Sequence, residues 1–294
     1  MSRIKIIVCC HKDDIKACSE VYMPLHVGKE ISNLDLGITC DNIGDNISSR
    51  NSVFCELTGL YWAWKNLQNV DYIGFCHYRR YFDFHHLGRI GFPITTLPVQ
   101  DFYNTDLTIS QDVLKWLDDG YMILPAEWNL RCSVYLDYCE HHNSSDFRIM
   151  GDVIREMSPG RYEEAFLSSM VNSNHLIPLN MFIMSKEQLN NYCSWLFPIL
   201  FETEKRINNA NYNAVQKRIF GYMSERMLNI YIKAEHIRNK QLSILKFSDE
   251  KELFDVSLIQ YKMRCLMNNM AQKLTKYYRH DTAPLMESVL ECKL

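Results

Sequence analysis

Two stretches decide how this chain is read: IKIIVCC at Ile4–Cys10, closed by His11-Lys12, and YIGFC at 72–76, closed by His77-Tyr78-Arg79-Arg80. Each is a short apolar run that ends abruptly in charge. That is the pattern of a parallel strand buried on both faces, with its carboxyl end near solvent. Between them, 52–67 (SVFCELTGLYWAWKNL) places Leu57, Leu60, Tyr61 and Trp64 at helical spacing on one face. A third strand is predicted over 121–124 (YMIL), preceded by a helix over 112–118 and ending at Pro125-Ala126-Glu127; a fourth falls at 181–184 (MFIM). The alternation predicts an α/β fold, a mostly parallel sheet flanked by helices. Ligands of such sheets bind at the carboxyl ends of the strands, where three of these strands carry polar clusters.

Further along, 186–202 and 214–233 show helical periodicity, with Pro198 expected to kink or break the first of them. A short strand is predicted over 242–247. From 256 to 280, Ile259, Met263, Leu266, Met267, Met270, Leu274 and Tyr277 line one helical face, while Lys262, Arg264, Lys273, Lys276 and Arg279 supply five cations with no acid among them. This last helix reads either as a core or partner helix with a solvated face, or as an interfacial helix on anionic lipid.

The 294 residues carry 32 Lys+Arg against 35 Asp+Glu, a net charge of −3, which argues against a nucleic-acid protein working through overall positive charge. Eleven dispersed cysteines with no C-x-x-C pair argue against a disulfide scaffold or a zinc ribbon and for a reducing compartment. No apolar stretch approaches the roughly 18 residues that span a bilayer, and the N-terminus lacks the pattern of a signal peptide. The expectation is a cytoplasmic protein, at most peripheral on the inner face of the cytoplasmic membrane.

Three polar segments are candidates for chemistry. The segment 41–51 (DNIGDNISSRN) puts two carboxylates, three Asn and two Ser around one Gly, just before an apolar helix. It reads as a surface turn with an N-cap, or as a loop binding phosphate or sugar hydroxyls at a helix N-terminus. The paired Arg79 and Arg80 suit a pyrophosphate, because planar guanidinium donors match phosphate oxygens; the alternative is an ion pair with Asp83 or Glu56. Asp83-Phe84-His85-His86 offers ligands for a divalent ion, and His141-His142 beside Asp137 and Glu140 reads equally as a solvated helix end. The absence of G-x-x-x-x-G-K-[ST], G-x-G-x-x-G and G-x-S-x-G argues against P-loop NTPases, dinucleotide oxidoreductases and α/β-hydrolases.

The strings CDNIGDNISSRNSVFCELTGLYWAWKN, YIGFCHYRRYF, NMFIMSKEQLNNYCSWLFPILFE and RIFGYMSERMLNIYI, in this order, resemble a bacterial capsular and exopolysaccharide glycosyltransferase family. That family was formerly catalogued as a domain of unknown function and includes galactofuranosyltransferases. The resemblance runs from 4 to 232. It implies a GT-A-like domain, taken over 1–233; the residues after it are not covered, and 234–294 is expected on its own pattern to be a helical basic extension that binds membrane or a partner. The resemblance further implies transfer of a sugar, galactofuranose, from a UDP-sugar donor to a lipid-diphosphate-linked glycan; the charge pattern adds an anionic inner-membrane surface as a partner of the basic helix and no nucleic acid. The donor would be bound by His11, Lys12, Asp41, Asp45, Asn46, Ser48, Asn51, Glu56, His77, Tyr78, Arg79 and Arg80, and the acceptor by Asn180 and His142. Glu225, Asp45 and Glu127 are candidates for the base. HYRR stands where many GT-A enzymes carry a metal-binding D-x-D, so arginines would neutralise the leaving group, or Asp83 and His85 would restore a divalent Mn or Mg. A non-catalytic sugar-nucleotide or glycan-binding component of an assembly complex is the alternative from another class.

Overall fold

A computed structural model describes residues 3–251 and 254–281, with side chains through Leu274. The strands are β1 (Ile4–Cys10), β2 (Tyr22–His26), β3 (Thr39–Cys40), β4 (Tyr72–His77), β5 (Arg80–Phe82), β6 (Ile94–Leu97), β7 (Met122–Pro125), β8 (Trp128–Asn129), β9 (His175–Leu176), β10 (Phe182–Ser185), β11 (Asn239–Leu242) and β12 (Ile244–Phe247). The helices are α1 (Asn51–Phe54), α2 (Leu57–Asn66), α3 (Gln111–Asp118), α4 (Val134–His141), α5 (Ser144–Met157), α6 (Arg161–Phe166), α7 (Lys186–Arg206), α8 (Ile219–Ala234) and α9 (Leu258–Asp281).

The main sheet runs β11-β7-β10-β4-β1-β2-β3. Only β10 is antiparallel to its neighbours, so the mostly parallel α/β sheet flanked by helices stands as expected. β1 lies between β2 and β4 with Val8 opposite Pro24 and Cys76. Its side chains alternate between two cores, Ile7 and Cys9 on one face and Ile6, Val8 and Cys10 on the other. Because both faces are buried, the strand is apolar throughout rather than alternating, which made it legible as a parallel strand. β4 turns back at Tyr78-Arg79, so Arg80 of β5 pairs with His77; β5 then pairs with β12, and β12 with β6.

Several boundaries differ from expectation. The helix expected over 52–67 is broken at Cys55 into α1 and α2. α7 runs straight through Pro198: burial of Leu196, Phe197, Ile199 and Leu200 around it outweighs the roughly 3 kcal/mol helix penalty of proline. The strand expected over 242–247 is two strands, and β11 and β12 are members of the main sheet and its branch, so a division at 233 runs through one sheet and the helical extension begins only at α9.

α9 docks through a mixed face, Tyr261 stacking on Phe92 with ring centres 5.0 Å apart and asparagines bonding further along. Asn268 Nδ2 reaches the Asn129 carbonyl at 3.3 Å, and Asn269 Oδ1 accepts from Asn174 Nδ2 at 3.2 Å. Its apolar stripe points outward, with Ile259, Met263, Leu266, Met267, Met270 and Leu274 between 57% and 72% exposed. The side chains of Lys276, Tyr277 and Arg279 lie outside those described. Among the described residues, all ten cysteines are free thiols and no helix is long and apolar enough to cross a membrane.

Gly74 of β4 permits close packing at the sheet centre. A Cβ there would lie 2.7 Å from Ile6 Cγ1 and 3.1 Å from Ile183 Cγ1. Gly74→Val is expected to lower unfolding free energy by about 2 kcal/mol, as overpacked cores do; urea denaturation checks this.

Candidate active site

A cavity of about 830 Å³ opens where β1 and β4 end and β10 begins. His11 and Lys12 enter it from the end of β1, and His77, Tyr78, Arg79 and Arg80 from the β4–β5 turn. Asn51, Cys55 and Glu56 come from the α1–α2 break, Lys217, Arg218, Tyr222 and Glu225 from the start of α8, and Lys246 from β12. Six cations line it (Lys12, Arg79, Arg80, Lys217, Arg218, Lys246) against three carboxylates (Glu56, Glu225, Glu250).

The α1–α2 break is a strained backbone. Cys55 has φ 51° and ψ −131°, a region open mainly to glycine. Asn51 holds it, its Nδ2 donating to the Cys55 carbonyl at 2.7 Å and to Thr58 Oγ1 at 3.0 Å. The kink delivers Glu56 to the cavity, and Asn180 fixes it there: Asn180 Nδ2 donates to Glu56 Oε1 at 2.7 Å and to the Gly221 carbonyl at 3.0 Å. Leu179 and Asn180 both have positive φ, 78° and 50°. His77 Nε2 lies 2.9 Å from the Leu179 carbonyl, which can only accept, so that nitrogen donates; burial lowers the His77 pKa.

Glu225 borders the same cavity with its side chain 22% exposed. Burial pushes its pKa above the ordinary glutamate value, although Arg226 Nη1, donating to Oε2 at 2.9 Å, pulls it back. Also at the cavity, Arg79 Nε donates to Asp14 Oδ1 at 2.9 Å, and Lys12 Nζ lies 3.5 Å from Asp14 Oδ2. Arg218 has the Cys55 thiol at 3.4 Å from Nε. The Arg80 backbone is held in the β5 ladder, but its guanidinium makes no hydrogen bond or ion pair among the described residues and is available to an anionic ligand.

The structure brings together at this cavity His11, Lys12, Asn51, Glu56, His77, Tyr78, Arg79, Arg80 and Glu225, with Asn180 directly behind Glu56. The other expected site residues lie elsewhere. Asp41 is buried and accepts from Gly28 N at 2.8 Å, Lys29 N at 3.1 Å and Ser48 Oγ. Asn46 Oδ1 accepts from Ser48 N, and Asp45 accepts from the Tyr61 hydroxyl at 3.1 Å, so 41–48 is a turn braced on neighbouring segments, and none of it lines the cavity. His142 stacks behind Tyr222, ring centres 4.0 Å apart, and burial and Arg226 push its pKa down to about 4. Glu127 borders a separate cavity of about 550 Å³ and pairs with His175 Nδ1 at 2.8 Å.

The candidate metal ligands do not fit an ion. Asp83 is buried and accepts from Leu87 N, Gly88 N and Ser243 Oγ, while His85 Nε2 lies 2.8 Å from the Thr108 carbonyl. Among the described residues no group of three His, Cys, Asp or Glu could hold a metal. Lys217, Arg218, Tyr222 and Lys246 escaped the sequence reading; the one signal for them was the Lys217-Arg218 pair, whose arginine opens the RIFGYMSERMLNIYI string.

Because Cys55 occupies backbone space that β-branched residues cannot enter, Cys55→Val is expected to cost about 2 kcal/mol or more, whereas Cys55→Gly is expected to fold with unchanged or higher stability. Chemical denaturation of the two variants checks the contrast.

Comparison with known proteins follows this geometry. A solved structure described as the apo form of WbbM, a bifunctional glycosyltransferase, matches with a TM-score of 0.77 at 29% identity, over 87% of this chain and 48% of that one. The chain thus spans about half the length of that protein. No curated protein matches. The model of a domain of unknown function, DUF4422, matches residues 5–236, most of the chain and nearly the span of the sequence strings that carried the resemblance. The chain therefore belongs to the DUF4422 family.

Proposed function

We propose that this protein is a glycosyltransferase of the GT-A kind, moving a sugar from a UDP-linked donor to a hydroxyl of a lipid-diphosphate-linked glycan in surface-polysaccharide assembly. One observation carries the reading: a single cavity at the carboxyl edge gathers six cations and the half-buried carboxylates of Glu56 and Glu225. The cations suit the diphosphate, and a carboxylate suits the acceptor. The likeness to a glycosyltransferase structure supports it, and the sequence resemblance makes galactofuranose the donor sugar of choice.

In this proposal Arg80, Arg218, Lys217 and Lys246 hold the diphosphate, with Arg79 aimed by Asp14. Fixed cations beside the oxygen that becomes negative stabilise the transition state without reorganising. They take the neutralising role themselves in this reading; Asp83 and His85 do not line this cavity. Glu225 removes the proton from the acceptor hydroxyl as that oxygen bonds to the anomeric carbon; the bond to the diphosphate breaks, and its electron pair leaves with UDP. A carboxyl raised by burial is a stronger base at neutral pH than an exposed one. Glu56 and His77, which line the same cavity, are proposed to hold donor hydroxyls.

α9 provides the membrane partner. Its outward apolar stripe carries exposed Lys262, Arg264 and Lys273, and no acid occurs from 258 to 280. Two copies of so cationic a face repel each other, whereas an anionic lipid surface satisfies both the charge and the apolar area.

Three outcomes are expected. UDP raises the melting temperature of the wild type; Arg80→Ala and Arg218→Ala weaken UDP binding about 10- to 100-fold, the worth of one charged hydrogen bond. Glu225→Gln keeps the UDP shift and loses 10²–10⁴ in transfer rate, the wild type shows an acid limb above the ordinary glutamate pKa, and EDTA leaves turnover unchanged. Vesicles containing anionic lipid bind the protein, and Lys262→Glu with Lys273→Glu releases it. A wild type that ignores UDP would sink the proposal.

A further inference from the structure

Behind Glu225 runs a buried chain of charge. Arg226 is 6% exposed at its side chain; Nη1 donates to Glu225 Oε2 at 2.9 Å and Nη2 to Asp137 Oδ2 at 3.3 Å. Nη1 also reaches the Tyr222 carbonyl at 3.2 Å, while Nε is buried with no hydrogen-bond partner. The guanidinium lies 5.4 Å from the centre of the Tyr138 ring. Glu225 borders the cavity; Asp137, on α4, does not. A lone Arg226 would pin the carboxylate in its ionised form and make it a poor base, but a guanidinium shared between two carboxylates compensates each only in part.

We infer that Arg226 is a positioning residue and Asp137 its counterweight: Arg226 fixes the Glu225 carboxylate at the cavity wall, and Asp137 draws off enough of the guanidinium's field to keep that carboxylate basic. This rests on the reading of Glu225 as the base for the acceptor hydroxyl. The groups that act on Glu225 are Arg226 on its own helix, Glu56 from the start of α2, Arg80 from β5 and the Leu179 N–H ahead of β10. Burial raises the Glu225 pKa, Arg226 lowers it and Glu56 raises it further. His142, packed against Tyr138 and Tyr222, titrates near 4, so it adds no charge here at neutral pH. His141 Nδ1 lies 3.9 Å from the other Asp137 oxygen, on the solvent side.

Two neutralising variants must therefore push Glu225 in opposite directions, although neither residue borders the cavity's open space. Carbon-13 NMR titration of the Glu225 carboxyl in the full chain reads this without any substrate, and the acid limb of UDP-sugar turnover reads it a second time. Asp137→Asn gives Arg226 wholly to Glu225 and is expected to lower both midpoints by about half a unit to one unit; Arg226→Gln is expected to raise them by about one unit or more. Arg226→Lys keeps the charge without the fork, so the midpoint stays near wild type while kcat falls about tenfold at unchanged donor KM, the signature of lost orientation. An Asp137→Asn protein with an unmoved Glu225 midpoint overturns the inference, whatever its melting temperature. If Arg226→Gln does not fold, Asp137→Asn and Arg226→Lys still decide. Midpoints that move as stated in a protein with no turnover would leave the coupling standing and remove the transferase reading instead.

Discussion

The Asn180 side-chain amide donates twice within the protein, to Glu56 and to the Gly221 carbonyl. These two hydrogen bonds tie the start of α2, the segment entering β10 and the first turns of α8 into one junction, and the cavity depends on that junction. The arrangement is costly. Leu179, Asn180 and Cys55 all sit at positive φ, each worth about 1–3 kcal/mol of strain. It persists because the strained groups are over-determined: Asn51 and Thr58 hold the Cys55 carbonyl, and His77 holds that of Leu179.

The reversed direction of β10 makes the junction possible. An antiparallel strand between β4 and β7 begins at the edge where those two end. Its entrance therefore meets the carboxyl termini that α/β sheets use for ligands. Had β10 run with the others, residues 179–180 would lie at the opposite edge and Glu56 would lose its anchor. The β4–β5 hairpin acts the same way, bringing Arg80 back to pair with His77 instead of leading it away. Both devices concentrate charge at one rim, where the low dielectric of the sheet edge strengthens its interaction with a bound anion.

Much of this was legible locally. β1 and β4 announced themselves because a strand buried on both faces must be apolar along its whole length. The charges after them announced a rim because such groups are not left inside a core without partners. His11, Lys12, His77, Arg79 and Arg80, which follow those strands, line the cavity; Glu56 and Glu225, which line it too, were singled out only through the family resemblance. The segment 41–51 reads differently in three dimensions: it is largely a surface turn whose buried Asp41 spends its oxygens on the Gly28 and Lys29 backbone and on Ser48. Only Asn51 of that segment borders the cavity, and it also braces the Cys55 kink.

What the amino-acid sequence determined by itself was periodicity and local polarity: which runs are strands, which are helices and where charge interrupts them. These properties are set by burial within a few residues of chain. Tertiary structure alone decided which charges share a space. Arg218 and Lys246 join Arg80 only through the packing of α8 and β12. Glu127 is carried off to a second cavity by β7, and the apolar stripe of α9 turns outward because its asparagines bond to partners about a hundred residues away. Such meetings depend on the order and direction of strands, which are fixed by contacts between distant segments and leave no pattern in either segment alone.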